Sequence, residues 1–227
     1  MELPNLSALR IPENLQARFI SAGILAPIVL ILLYIGGAVY NTMIIAVAVI
    51  MSFEWKVIIN SGEQELSDAM QQRWNATGIA YITIFASSLI YLRNLENGFG
   101  IVLLMLFLVW ATDIAAFFTG KALQGPKICT KISPNKTWSG LAGGMIAAGF
   151  VGALASVFIP MSTLSLIAIG MLLAIVAQIG DFFESWVKRS FGVKDSGNII
   201  PGHGGLLDRL DGFTTVAPVF VIFTLLN

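Results

Sequence analysis

Asp181, Ser185 and Lys188 recur at i, i+4 and i+7, the spacing that puts side chains on one face of a helix. A carboxylate, a hydroxyl and an ammonium in one row can hold a metal ion and a phosphate together. Anchoring of a helix end at a membrane surface is the competing use. It accounts for Lys188 and Arg189 more readily than for Asp181, since a carboxylate inside an apolar segment costs about 2.5–3.5 kcal/mol on insertion scales. Further on, Asp208 and Asp211 stand at i, i+3 with Arg209 between them. Hard cations such as Mg2+ take carboxylate oxygens together with substrate phosphates, so Asp181, Asp208 and Asp211 form a candidate metal cluster. Helix N-capping explains one of the last two aspartates better than both. Between the clusters lies Pro201-Gly202-His203-Gly204-Gly205, which carries the one histidine of the chain. Its glycines let the backbone approach an anion closely. His203 suits a phosphate donor or a general acid/base, although a hydrogen-bonded turn histidine is the simpler reading.

A second polar segment, residues 120–137, supplies Lys121, Lys127, Lys131 and Lys136 with Ser133 and Thr137, and no acid. Mobile point charges of this kind suit a polyphosphate. For one or two of the lysines, ordinary cytoplasmic enrichment would suffice. The segment is not a Walker A loop, because GxxxxGK[ST] is missing. Asp113 is a further acid in an apolar segment, placed to pair with a lysine or to line a cavity.

The elements that must position these residues are membrane spans. The chain has 227 residues, 56% of them hydrophobic and 11% charged, against about 45–50% and about 25% in a soluble domain. Net charge is zero, so no bulk field points to nucleic acid. The single Cys129 excludes an internal disulfide. The apolar run behind the polar N-terminus has no clear A-x-A site, which favours a retained first span over a cleaved signal. Runs near the length needed to cross a bilayer fall at about 19–35, 39–59, 77–92, 99–119, 139–158, 164–183 and 213–226. Glu54 and Lys56 stand near the end of the second, and Pro27 lies within the first. The linker 61–75, with Leu66, Met70 and Trp74 at helical spacing, reads equally as a short interfacial helix or a solvated connector. The small residues that open the fifth run, GLAGG, predict close helix packing. With the N-terminus in the cytoplasm and seven crossings, every one of the 13 Lys and Arg except Arg93 falls inside, as the positive-inside bias requires. The expected fold is therefore all-α, a polytopic transmembrane bundle of about seven spans with a cytoplasmic N-terminus. It forms one integral membrane domain over 1–227, with N-terminal spans at 19–92 and catalytic spans and loops at 99–227. The two polar segments then share the cytoplasmic face.

Ser185 to Asp211 reads SWVKRSFGVKDSGNIIPGHGGLLDRLD. It resembles the signature S-x-x-K-R-x4-K-D-x5-P-G-H-G-G-x-x-D-R-x-D of the phosphatidate cytidylyltransferase, or CDP-diacylglycerol synthase, family. Ile132 to Gly140, ISPNKTWSG, resembles that family's lysine-rich loop, with Ser139 where a Glu is common. The likeness is specific from about Trp110 to Asp211. The chain is short for the family, which predicts the loss of one or more N-terminal helices. The resemblance implies a nucleotidyltransferase that condenses CTP with phosphatidic acid into CDP-diacylglycerol and pyrophosphate. It implies metal ligation by Asp181, Asp208 and Asp211, and catalytic roles for Lys188, Arg189, His203, Asp208, Arg209 and Asp211. Substrate binding falls to Ser185, Lys121, Ser133, Lys136 and Thr137. Mg2+ is the implied cofactor, with K+ as a companion ion. The implied setting is a bacterial-type inner membrane with the site on its cytoplasmic face, and a homodimer is among the assemblies allowed. Two other readings compete: a CTP-dependent lipid kinase that transfers the γ-phosphoryl group, and a transporter using Asp113 and Asp181 as an ion path. The complete His203–Asp211 motif speaks against the first, and the gathering of polar residues at segment ends speaks against the second.

Overall fold

The structure, a computed structural model, describes residues 13–62, 66–199 and 204–226, with side chains in the first helix at residue 21 and from residue 23. Seven helices account for nearly all of it: α1 (Glu13–Ile35), α2 (Gly37–Asn60), α3 (Asp68–Arg93), α4 (Gly98–Leu123), α5 (Trp138–Ala155), α6 (Thr163–Ser190) and α7 (Leu207–Leu226). Helices α2 to α7 are each long and apolar enough to cross a membrane, and the apolar part of α1 described here is Gly23–Ile35. The chain is an integral membrane protein. The all-α expectation needs one amendment. Between α4 and α5 the lysine-rich segment forms an antiparallel hairpin of β1 (Lys127–Cys129) and β2 (Ser133–Thr137), with Lys127 opposite Thr137 and Cys129 opposite Ser133. Gln124, in a left-handed conformation at φ 44°, ends α4 and turns the chain into it.

The helices run longer than the apolar runs. α3 begins at Asp68 behind a Ser67 cap that accepts from Met70 N, so the second half of the 61–75 linker is the first turns of a span and not a separate surface helix. Its Trp74 packs edge-on to Phe191 at 5.2 Å and lies 5.8 Å from Trp186, and its carbonyl accepts from Trp55 Nε1 at 3.0 Å. The apolar spacing in that linker is the imprint of this packing. α6 likewise continues through the charged residues to Ser190, and α7 starts at Leu207.

Helix α4 packs on α5, α5 on α6, α6 on α7, α7 on α3 and α3 on α2. The small-residue face of α5 meets both its neighbours, as its glycines predict. The approach of α6 to α7 matters most for chemistry. A Cβ at Gly180 would lie 2.5 Å from Asp211 O and 2.4 Å from Thr215 Oγ1, and Thr215 Oγ1 donates to Val176 O at 2.9 Å. Glycine at this crossing lets the backbone of α7 press against α6 one residue before Asp181.

Candidate active site

Of the polar row on α6, the first two members meet and Lys188 turns to other partners. Ser185 Oγ donates to Asp181 Oδ1 at 3.3 Å, so the i, i+4 pair does meet. The other oxygen of Asp181 forms an ion pair with Lys136 of β2. The Lys136 ammonium also sits over the Phe182 ring, 4.7 Å from its centroid, an attraction to the negative ring face. This contact joins the two polar segments of the sequence: the hairpin sets one lysine against Asp181 of α6. Asp181, Asp113 on α4 and Asp211 on α7 lie within electrostatic range of one another and of Lys136. Of the three, Asp181 alone touches the ammonium, and the other two carboxyl groups act on it through space.

In the last turn of α6, Lys188 is buried between two acids. Its Nζ donates to Glu184 Oε1 at 2.9 Å and to Asp208 Oδ1 at 2.5 Å. Asp208 Oδ2 accepts from Ser196 N at 2.9 Å, Ser196 Oγ at 3.0 Å and Gly205 N at 3.0 Å. Both oxygens of Asp208 are occupied, and this aspartate ties the end of α6, the loop after it and the start of α7 together. The three aspartates expected to meet as one metal cluster are therefore distributed: Asp181 and Asp211 stand with Asp113 and Lys136, and Asp208 stands with Lys188. Among the described residues no three His, Cys, Asp or Glu side chains converge into a ready cage. The donor set around Asp181 nevertheless suits Mg2+, being all hard oxygen.

The other predicted residues are spread around this centre. Thr137 is buried and caps α5, accepting from Gly140 N at 3.0 Å and lying 3.1 Å from Ser139 Oγ. Ser139, where an acid is common, accepts from Gly125 N at 3.2 Å and so closes the base of the hairpin. Ser133 is half-buried in β2. Lys121 is exposed in the last turn of α4, 5.9 Å from the Phe117 ring centroid. Arg189 is exposed and donates to Val193 O at 2.9 Å, which stabilises the turn after α6. Arg209 is exposed in the first turn of α7. His203, with Pro201 and Gly202, lies outside the described residues.

Two acids have no role in the sequence reading. Glu184 is 1% exposed and shares Lys188 with Asp208. Glu54 on α2 is 3% exposed and accepts from Leu206 N at 2.8 Å, Leu207 N at 2.7 Å and Ser196 Oγ at 3.3 Å. The signal was present in both cases, a carboxylate at the end of an apolar span, but nothing in the sequence pairs residue 54 with residues 196–207.

A model of the cytidylyltransferase family matches residues 68–226. The chain belongs to this family. Similar curated proteins include the phosphatidate cytidylyltransferase of Brucella suis biovar 1, 37% identical over 93% of this chain and 93% of that protein. Those of Rickettsia bellii, at 38% over 91% and 89%, and Rickettsia felis, at 35% over 94% of each, are alike. The alignment with the Brucella protein runs over 252 residues against the 227 of this chain, so this chain is the shorter of the two, while the two Rickettsia alignments run over 216 and 223 residues. Their similarity also reaches well beyond the Trp110–Asp211 segment that carries the motif.

Proposed function

We propose that this protein transfers the cytidylyl group of CTP to phosphatidic acid, releasing pyrophosphate and leaving CDP-diacylglycerol in the membrane. The observation that carries the reading is the Lys136–Asp181 ion pair. It makes one site of an acid-rich helix end and a lysine-rich hairpin, the two halves that a lipid phosphate and a nucleoside triphosphate need. The names of the relatives support the substrates, and the matched family supports the group transferred.

In the reaction a phosphatidate oxygen attacks the α-phosphorus of CTP. The new P–O bond forms as the bond from that phosphorus to the bridging oxygen of the β-phosphate breaks, and pyrophosphate carries away the electron pair. The nucleophile is already an anion, so no strong base is needed. The barrier is the approach of two anions, which positioning and fixed positive charge lower. Asp181 and Asp211, with Asp113 beside them, would hold Mg2+, which when bound supplies charge neutralisation at the reacting phosphates. Lys136 stands at the same place and would move from Asp181 to a CTP phosphate. Lys121, Lys127 and Lys131 form the exposed basic approach on the hairpin side, and Arg189, Lys194 and Arg209 form it on the α6–α7 side. Asp208 holds Lys188 in place behind the acids. The site would lie at the cytoplasmic face of an inner membrane, where CTP is found.

Purified protein in phosphatidate-containing micelles, given Mg2+ and CTP labelled separately at the α- and γ-phosphorus, tests this. The α-label is expected in lipid and the γ-label in pyrophosphate. Transfer of the γ-label to lipid would establish a kinase and overturn the proposal.

A further inference from the structure

Helix α2 lies wholly outside residues 68–226, the part matched by the cytidylyltransferase family. Its Glu54 nevertheless reaches the heart of the signature loop. The first N–H groups of a helix have no partner within it, and they carry the positive end of the helix dipole. In α7 the amides of Leu206 and Leu207, at and just before that end, donate to the two oxygens of Glu54. Caps usually come from a neighbour in the chain. This one comes from about 150 residues away, across a helix-to-helix contact.

The same loop is held from its other side by Asp208, and the two carboxylates share a member. Ser196 Oγ lies 3.0 Å from Asp208 Oδ2 and 3.3 Å from Glu54 Oε2, so its proton serves one of them at a time. Gly205 passes between. A Cβ there would lie 1.9 Å from Ser196 Oγ and 2.9 Å from Glu54 Oε1. Glu54, Ser196 and Asp208 thus form one clasp around residues 204–207, and what the clasp sets is the axial position of α7, which carries Asp211 to its place beside Asp181.

We propose that Glu54 is a positioning residue for cytidylyl transfer, acting through the start of α7 on Asp208 and Asp211, and that α2 is thereby part of the catalytic unit. This rests on the function proposed above. Glu54→Gln keeps the size of the side chain but points an amide N–H at a backbone N–H, so one of the two caps is lost.

The test measures steady-state turnover and amide hydrogen exchange on wild type, Glu54→Gln, Ser196→Ala and the double variant, all well below their unfolding midpoints. Glu96→Gln, in the exposed α3–α4 turn, serves as the control with wild-type rate. Glu54→Gln is expected to lower kcat by about 10- to 100-fold, as small misplacements do, with KM for CTP within about threefold. Exchange should quicken in residues 204–211 and not in α4 or α5. The double variant should lose less than the product of the two single losses, because both act on one clasp. A Glu54→Gln kcat at the wild-type level overturns the role. So does exchange that quickens throughout the bundle with activity falling in step with the folded fraction, since that is a general loss of stability. Wild-type protein that attaches no CMP to lipid overturns instead the function on which the role rests.

Discussion

Asp208 and Asp211 stand three residues apart in the same first turns of α7, yet they face different partners. Their separation along the axis is about 4.5 Å, enough to leave Asp208 level with Lys188 and Ser196 while Asp211 reaches the level of Asp181. The two are expected to answer mutation differently. Asp211→Asn removes one of the carboxyl groups crowded around the proposed Mg2+ position. It should leave the thermal midpoint without Mg2+ at or above the wild-type value, abolish the rise in midpoint that Mg2+ produces by binding the folded state, and cut turnover by about 100-fold or more. Asp208→Asn strips a buried ammonium of one carboxylate and should lower the midpoint outright, while the Mg2+-dependent rise survives. Thermal unfolding of both variants with and without Mg2+ checks this, and a full Mg2+ response in Asp211→Asn would remove that residue from the metal. The contact of Ser185 with Asp181 was legible from spacing, whereas the turning of Lys188 to Glu184 and Asp208 was not. The division of labour between Asp208 and Asp211 was not, because i, i+3 spacing predicts a common face and says nothing about which neighbours wait at each level.

Among the elements, spans were legible and their ends were not. Hydropathy marks where a helix is in lipid, and α3, α6 and α7 carry on as polar helix beyond it. The hairpin was missed for a related reason. Its strands are three and five residues long and mostly polar, too short to show an alternating pattern. One residue that broke the charge pattern has a structural explanation. Arg93, the one base that the seven-crossing expectation puts outside, turns back from the end of α3 and donates to Leu33 O at 2.8 Å and Tyr34 O at 3.1 Å, satisfying carbonyls at the C-terminus of α1 that lack helical partners. It passes over Gly36, whose φ of 66° and ψ of −156° lie in a region open essentially to glycine alone. A Cβ there would sit 2.2 Å from the Arg93 guanidinium. Gly36→Ala should therefore lose the backbone conformation, worth about 1–3 kcal/mol, and displace Arg93 as well. Its unfolding midpoint should drop below that of Arg93→Met, which loses only the hydrogen bonds. Equal midpoints for the two variants would show that Gly36 accommodates a side chain after all.

At the scale of the whole molecule, helices α1 to α7 form an up-and-down bundle in which the hairpin meets α6 at one end through Lys136 and Asp181, and the α3–α4 turn with Arg93 lies at the other. On the proposed orientation the first end faces the cytoplasm, where CTP is found, and the single native cysteine offers a direct reading. Cys129 is half-buried in β1 at the site end. A membrane-impermeant maleimide should leave it unlabelled in intact spheroplasts and label it once they are permeabilised. In the Cys129→Ser background, Glu96→Cys places the thiol in the exposed α3–α4 turn, and this thiol should react before permeabilisation. The two results depend on one another: an even number of crossings between residues 96 and 129 would label both from the same side and contradict α4 as a span. Labelling of Cys129 from outside, with Glu96→Cys protected, would invert the bundle. It would put the acids and the hairpin lysines where no CTP reaches them, and the proposed activity would fall with the orientation.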